Sequence, residues 1–378
     1  METSAISSFS KFSLKKKLQV IKTFSNLNED DLDLIKKYQE LPDFLDIENN
    51  LGPFKIATNF LINRKNYFVP MEIEEPSVVA AASRGAKLIR EGGGFLGRYL
   101  SNQMFGQIQI LTPENFEKAE NNIKKNKEKI LKMANKTQKE LCKLGGGAKD
   151  FKLKKIKNYL VFYLIVDPKD ALGSNMIDTM LEKISPFLAK ISKGKIGGAI
   201  FSNFGEGRMV FVKGRVPLEK LKRGKFSGKE VAKRILDFMD LAKNDIFRAI
   251  THNKGIMNGI DAVLSATGND FRAVEVTIHS FAGKSGEYQP LTNWKIEENF
   301  LKGEIKIPLP VATVGGMTNT RKAKLAKKIL RVKKAKELGI ICASVGLSNN
   351  LAAISEIVTR GIQKGHLKIH KEFLRKMG

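Results

Sequence analysis

Residues 106–112 read Gly106-Gln107-Ile108-Gln109-Ile110-Leu111-Thr112, with glutamine and isoleucine on alternate positions. A period of two marks a strand that buries one face. Downstream, the charged stretch 114–142 reads as one long helix, and 151–167 reads as two strands broken at Lys157-Asn158. A helix follows over about 174–193, with Met176, Met180, Ile184, Phe187, Leu188 and Ile191 along one face. Strands near 197–203 and 208–213 complete the order β-α-β-β-α-β-β, which predicts a small α+β unit with a ferredoxin-like sheet.

Upstream, 78–90 reads as a helix with Pro76 at its first position and Glu75 as its N-cap. Residues 54–71 carry strand-like patches around an Asn63-Arg64-Lys65-Asn66 turn, and 12–43 read as polar helix with Asn28 as a cap. Beyond 228 the chain reads as mostly helical, apart from strand-like pieces near 273–281 and 303–309. The expected fold class is α+β: a large, mostly helical domain formed by 1–105 and 216–378, with the small ferredoxin-like domain, 106–215, inserted into it.

With 378 residues and 42% hydrophobic side chains, the chain has material for a sizeable core in two domains. The formal charge of +27 favours anionic partners: nucleic acid, acidic lipid or a phosphate-bearing cofactor. Cys142 and Cys342, the two cysteines, lie far apart without metal or redox spacing, which points to a reducing compartment. The uncharged stretch 338–355 is interrupted by Gly339, Ser344, Gly346, Ser348, Asn349 and Asn350, so it reads as a buried helix and not a membrane span. The N-terminus has serines and lysines but no long apolar segment. The expected location is cytoplasmic.

Three nucleotide or metal motifs fail on context. Gly92-Gly93-Gly94-Phe95-Leu96-Gly97 matches GxGxxG but follows a helix instead of a strand, and Gly283-Lys284-Ser285 has Ile278 where a P-loop needs glycine. His366 and His370 lack a third ligand, so no metal is expected. The basic run 321–334 is amphipathic but has no interleaved aromatics, and it reads as a solvated helix face. A catalytically silent basic protein, holding nucleic acid or acidic surfaces through salt-sensitive contacts, is the alternative function class.

Four segments in order carry the chemistry: Val69-Pro70-Met71-Glu72-Ile73-Glu74-Glu75-Pro76-Ser77-Val78-Val79-Ala80-Ala81; Asp170-Ala171-Leu172-Gly173-Ser174-Asn175; Thr251-His252-Asn253-Lys254-Gly255-Ile256-Met257-Asn258-Gly259 with Ala266-Thr267-Gly268-Asn269-Asp270; and Gly361-Ile362-Gln363-Lys364-Gly365-His366. Together they resemble the hydroxymethylglutaryl-CoA reductase family, class II, from about residue 10 to the C-terminus. The resemblance implies a two-step hydride reduction of hydroxymethylglutaryl-CoA to mevalonate and coenzyme A, or the reverse, by a homodimer or higher oligomer with active sites at the subunit interface. No membrane and no specific nucleic-acid partner is implied.

Each reduction builds negative charge on oxygen, which must be stabilised and protonated. The resemblance assigns Lys254 as the oxyanion partner, since an ammonium with an ordinary pKa near ~10.4 is a stable point charge in a dry site. Glu75 takes the proton-relay role, with Asp270 bonded to both Glu75 and Lys254 and tuning them. His366 matches the group that protonates the departing thiolate. Ser77, Arg248 and Asn258 fall where the family holds the substrate's carboxylate and hydroxyl, with Arg248 as the carboxylate fork.

Residues Asp170, Gly173, Ser174 and Asn175 resemble the family's dinucleotide motif, placed between a strand and a helix whose N-terminus receives phosphate. Asn203 joins them as a cofactor residue. Asp150 matches an acidic position at the adenosine ribose, which favours NADH, with NADPH as the alternative because of the neighbouring lysines. The tail after His366 is short where the family has a helical flap.

Overall fold

The computed structural model describes residues 55–363 without 114 and 205, together with 13, 15, 16, 19 and 29. The expected helix over 12–43 and the tail beyond 363 therefore lie outside the described residues. The chain divides into two compact units, 1–53 with 320–322 and 54–319 with 323–378. The architecture that follows is that of the second.

It opens with a hairpin, β1 (Lys55–Ile62) and β2 (Lys65–Met71), then helix α1 (Pro76–Arg90) and strands β3 (Leu96–Tyr99) and β4 (Met104–Leu111). Helices α2 (Phe116–Lys125), α3 (Lys127–Asn135) and α4 (Lys139–Lys143) precede β5 (Gly147–Ile156) and β6 (Tyr159–Asp167). Helix α5 (Ser174–Ser192), β7 (Lys195–Ser202) and β8 (Met209–Pro217) follow. Then come α6 (Gly228–Asn244), α7 (Ile246–Ala266), α8 (Phe271–Ala282), β9 (Thr292–Glu297), β10 (Phe300–Pro308), α9 (Arg321–Leu330) and α10 (Ala335–Ile357).

The hairpin turns on Asn63 and Arg64, with φ of 49° and 66°. Two consecutive left-handed residues match the twist of the strands they join. Helix α1 starts as its sequence dictates: Pro76 needs no N–H partner, and Glu75 accepts a hydrogen bond from the Ser77 amide at 3.2 Å.

Two hydrophobic cores form. One gathers Ile108, Ile110, Leu160, Phe162, Leu164, Ile177, Met180, Leu181 and Ile184 under the four-stranded sheet β5-β6-β4-β7. All three strand pairs are antiparallel. Counted within this sheet the spatial order is second-third-first-fourth, the ferredoxin-like arrangement, and β4 alternates buried and half-buried side chains along its length. The larger core joins the sheet β3-β8-β10-β9 to the hairpin and to α1, α6, α7, α8 and α10.

Helix α10 runs through this larger core. Its apolar window passes for a membrane span by length and composition, yet 89% of that window is buried inside the fold. Polar residues within it bond α1: Ser348 Oγ donates to Ala82 O at 2.8 Å and Asn349 Nδ2 to Val78 O at 3.2 Å, while Asn349 Oδ1 is buried without a partner among the described residues. Gly85 allows the two backbones to meet, because a Cβ there would lie 2.1 Å from Ser348 O.

Three expectations change. The helix over 114–142 is three helices, broken at Asn126 and again before Lys139. Asn135, at the end of α3, turns its amide onto β5 instead, bonding Ala148 N at 2.7 Å and Ala148 O at 3.0 Å. The strand expected near 208–213 is β8, which leaves the small sheet and pairs with β3 and β10. Residues 273–281 are helical within α8, because the Asp270 carboxylate accepts from Arg272 N and Ala273 N and starts a helix there.

Candidate active site

A cavity of ≈ 580 Å³ opens between the β2–α1 junction, α7 and α10. Glu75 and Ser77 enter it from the start of α1, and Arg248, Lys254 and Asn258 from α7. These positions share a wall because the helical repeat returns every three to four residues. Five residues expected to act together, drawn from segments far apart in sequence, thus line one space.

Arg248 is the unusual member. Its Nε is buried without a partner among the described residues, its guanidinium lies 4.4 Å from the Phe238 ring centre, and burial lowers its pKa. A desolvated guanidinium with an unmet donor is a receptor for an anion. Lys254 is exposed in the single chain, not in the dry setting expected, because it stands on the outward side of α7 at the cavity wall.

Asp270 departs from expectation. It is not among the cavity's lining residues; its carboxylate caps α8 and pairs with Arg272 Nε at 3.2 Å, so the contacts expected to Glu75 and Lys254 are not made within this chain. His366 lies outside the described residues.

Other lining groups carried no sequence signal. Arg84 and Arg223 both bond Glu356 Oε2 at 2.6 Å, tying α1 and the loop before α6 to the end of α10. Residues 84 and 356 are 272 apart, and no local pattern announces such a pair. His252, Asn349 and Asn350 also line the cavity and are nearly fully buried. Burial, reinforced by the Arg248 charge, pushes His252 down to about 3, so it is neutral at physiological pH. Behind Asn258 on α7, burial and a hydrogen bond to Glu275 push Asp261 up to about 8.

The dinucleotide candidates sit elsewhere. Gly173 caps α5 with φ of 99°, no side chain caps that helix, and a Cβ at Gly173 would lie 2.7 Å from Pro168 Cβ. This bare helix start, flanked by Ser174 and half-buried in its surroundings, fits a phosphate. Asp170 is engaged inside the fold, accepting from Ala335 N at 2.9 Å and pairing with Lys334 at 3.2 Å. Asn175 is exposed, with its carbonyl taken by Thr179, and the carbonyl of exposed Asn203 accepts from Thr277 Oγ1. Asp150 lies on β5, half-exposed and paired with Lys127 at 2.8 Å, and that hydrogen bond lowers its pKa. Part of the expected cationic run is likewise consumed internally, Lys327 bonding Thr313 O and Lys334 bonding Asp170.

The family model for hydroxymethylglutaryl-coenzyme A reductase matches residues 13–371. The chain belongs to this family.

The 3-hydroxy-3-methylglutaryl-coenzyme A reductase of Archaeoglobus fulgidus is 41% identical over 97% of this chain and 86% of its own length. A probable reductase of the same kind from Borreliella burgdorferi is 33% identical over 95% of this chain and 84% of its length. Among solved structures, the class II reductase of Streptococcus pneumoniae bound to NADPH superposes with a TM-score of 0.80 at 37% identity, covering 93% of this chain and 99% of that one. Membership of the hydroxymethylglutaryl-CoA reductase family makes the chain an NAD(P)-dependent oxidoreductase of mixed α+β fold.

Proposed function

We propose that the cavity reduces the thioester of hydroxymethylglutaryl-CoA to mevalonate and coenzyme A, or runs the reverse reaction, in the cytoplasm. The observation that carries this reading is the convergence of Glu75, Ser77, Arg248, Lys254 and Asn258 on one cavity. Arg248 supplies the unmet donor for the substrate's free carboxylate, with Ser77 and Asn258 hydrogen-bonding its polar oxygens. Lys254 faces the carbonyl oxygen that becomes negative as each hydride arrives.

Glu75 delivers the proton that converts each developing alkoxide to a hydroxyl. After the first reduction the new hydroxyl returns its proton to Glu75 as the carbon–sulfur bond breaks, leaving an aldehyde and a thiolate, and His366 protonates the thiolate. The second reduction of the aldehyde gives the alcohol. Bound NAD(P)H supplies the hydrides; residues 170–175, Asn203 and Asp150 would hold it, within a small dinucleotide-binding domain assigned to 106–215. Asp150 favours NADH, while its Lys127 partner offsets the carboxylate charge and leaves NADPH accommodated.

The catalytic unit is a homodimer. Ile246, Phe247 and Ile250 flank Arg248 with exposures of 55%, 81% and 49%, and Phe271 beside Asp270 is 45% exposed. Apolar side chains so exposed next to a site need a cover. A second copy supplies it, and there Asp270 joins Glu75 and Lys254. The test is oxidation of NADH or NADPH by the purified chain, with hydroxymethylglutaryl-CoA required. Activity that persists in Lys254→Ala and Glu75→Gln rules the assignment out.

A further inference from the structure

The chain passes from the larger core into the small sheet between β3 and β4, and returns between β7 and β8. The two crossings lie side by side: Gln103 N donates to Gly207 O at 2.7 Å and Leu100 N to Met209 O at 2.8 Å. Arg208 stands at this double crossing, and its side chain is the largest fully buried one among the described residues. The guanidinium donates from Nε to Asn102 Oδ1 at 2.9 Å, from Nη1 to Val311 O at 2.9 Å and from Nη2 to Lys169 O at 2.7 Å. Every one of these acceptors is neutral. A buried cation whose partners are amide and carbonyl oxygens gains no ion-pair energy from them; what its rigid planar fork supplies is geometry.

The acceptors belong to different parts of the fold. Asn102 lies on the entering crossing, Val311 belongs to the larger core just after β10, and Lys169 lies in the turn between β6 and α5. That turn is wound unusually. Lys169 has φ of 55°, a left-handed conformation that a non-glycine residue keeps where its surroundings hold it. Asn102 Nδ2 donates to Asp167 Oδ1 at 2.7 Å and to Lys169 O at 3.2 Å, and Lys169 N donates to the same Asp167 Oδ1 at 2.9 Å. The next carbonyl, that of Asp170, accepts from Thr313 N at 2.9 Å. From here the chain runs directly into the bare start of α5, the candidate seat for phosphate.

We infer that Arg208 is a positioning residue for the dinucleotide: it fixes the turn 167–170, and with it the start of α5, against the 311–313 segment of the larger core. The inference rests on the reductase reading and deepens it, because hydride transfer requires a cofactor held at α5 to meet a thioester held in the cavity. Arg208 is not among the residues lining that cavity, so it acts through the turn and not on the substrate. Misplacing reacting atoms by about 1 Å can cost on the order of 100-fold in rate, so a loosened turn registers in the chemical step.

The experiment compares the full-length wild type with Arg208→Lys, which keeps the charge but replaces the planar fork with a single nitrogen. Without ligands, hydrogen–deuterium exchange should quicken at the amides of Lys169 and Thr313 and keep the wild-type rate in α1 and α7. Titration with NADPH and with NADH should show affinity weakened about 10-fold, the size of effect expected from one lost hydrogen bond. Affinity for hydroxymethylglutaryl-CoA should be unchanged. Single-turnover reduction should slow about 10- to 100-fold. Asn102→Ala removes the neighbouring tie to the same turn, and it decides by the same readouts should Arg208→Lys fail to fold.

Exchange that quickens evenly across the protein, with both cofactor affinities unchanged, would make Arg208 a contributor to stability alone and overturn the inference. An equal loss of affinity for NADPH and hydroxymethylglutaryl-CoA overturns it too. A wild type that binds NADPH but leaves hydroxymethylglutaryl-CoA unreduced sinks the reductase reading itself, a result distinct from an active wild type whose cofactor affinity is indifferent to Arg208.

Discussion

Lys254 and Asp261 occupy one side of α7, two helical turns apart, and chemistry treats them oppositely. Lys254 is exposed and pays nothing for its charge, so Lys254→Ala should leave thermal stability unchanged. Its kcat should drop about 100- to 1000-fold, the usual loss when an oxyanion donor is removed. A stopped-flow single-turnover assay checks this. Asp261 is a carboxyl raised to about 8 by burial and by Glu275, against an ordinary value of 3.8. Because the folded state holds the proton more tightly, the stability linked to Asp261 is fully present below pH 3.8 and is lost as pH rises to about 8. Asp261→Asn should therefore match the wild type in Tm at acid pH and melt progressively higher than it between those limits. Parallel melting curves across the range would contradict this.

Residue-level legibility follows the range of the interaction. Glu75 and Pro76 were readable because a cap acts over two residues. Arg248 and Lys254 were reached through the family resemblance, whereas the Asp261–Glu275 pair needs α7 and α8 folded back on each other, and no spacing rule encodes that.

At the level of elements, the tie between α1, the loop before α6 and α10 is a single carboxylate. The Glu356 side chain is 13% exposed and its two arginine partners 28% and 25%. Removing the carboxylate leaves two adjacent guanidiniums partly desolvated and mutually repulsive. Glu356→Ala should cost about 3 kcal/mol, the low end for breaking a buried pair given that residual exposure. The shift in urea midpoint measures it, and a change below about 1 kcal/mol would place the pair in the surface class. Helix α8 shows why sequence reading misjudges elements: Val274, Val276, Thr277 and Ile278 have strand preferences, but the Asp270 cap and burial of Val274 and Ile278 on one side make a helix. In α2 to α4 the error is reversed. Charged, helix-favouring residues run on with little pause, and the break after α3 falls where Asn135 meets β5.

For the molecule as a whole, the deciding property is what covers the apolar residues beside Arg248. Phe247, 81% exposed in the single chain, has no reason to remain in water if a second copy is present. Phe247→Asp should shift the sedimentation coefficient toward the monomer and abolish turnover while NADPH binding persists. A monomeric wild type with full activity would remove the dimer from the picture. The strands of the small sheet were legible from local pattern, and the order of strands and helices pointed to a ferredoxin-like sheet; the departure of β8 to another sheet was not legible, because pairing partners are not written in a strand's own residues.

Helix α10 also bears on synthesis. Its serine and asparagine side chains seek Val78 and Ala82, more than 260 positions earlier in the chain. While the ribosome is still making the middle of the protein, α1 has the β1–β2 hairpin but not α10 to lie against, and the side of α1 around Val78 and Ala82 that meets α10 stays available to chaperones. Nascent chains arrested before residue 335 should be cut by protease at the start of α1, and those arrested with α10 clear of the exit tunnel should resist. The cavity between α1, α7 and α10 is then among the last features of the protein to come into being.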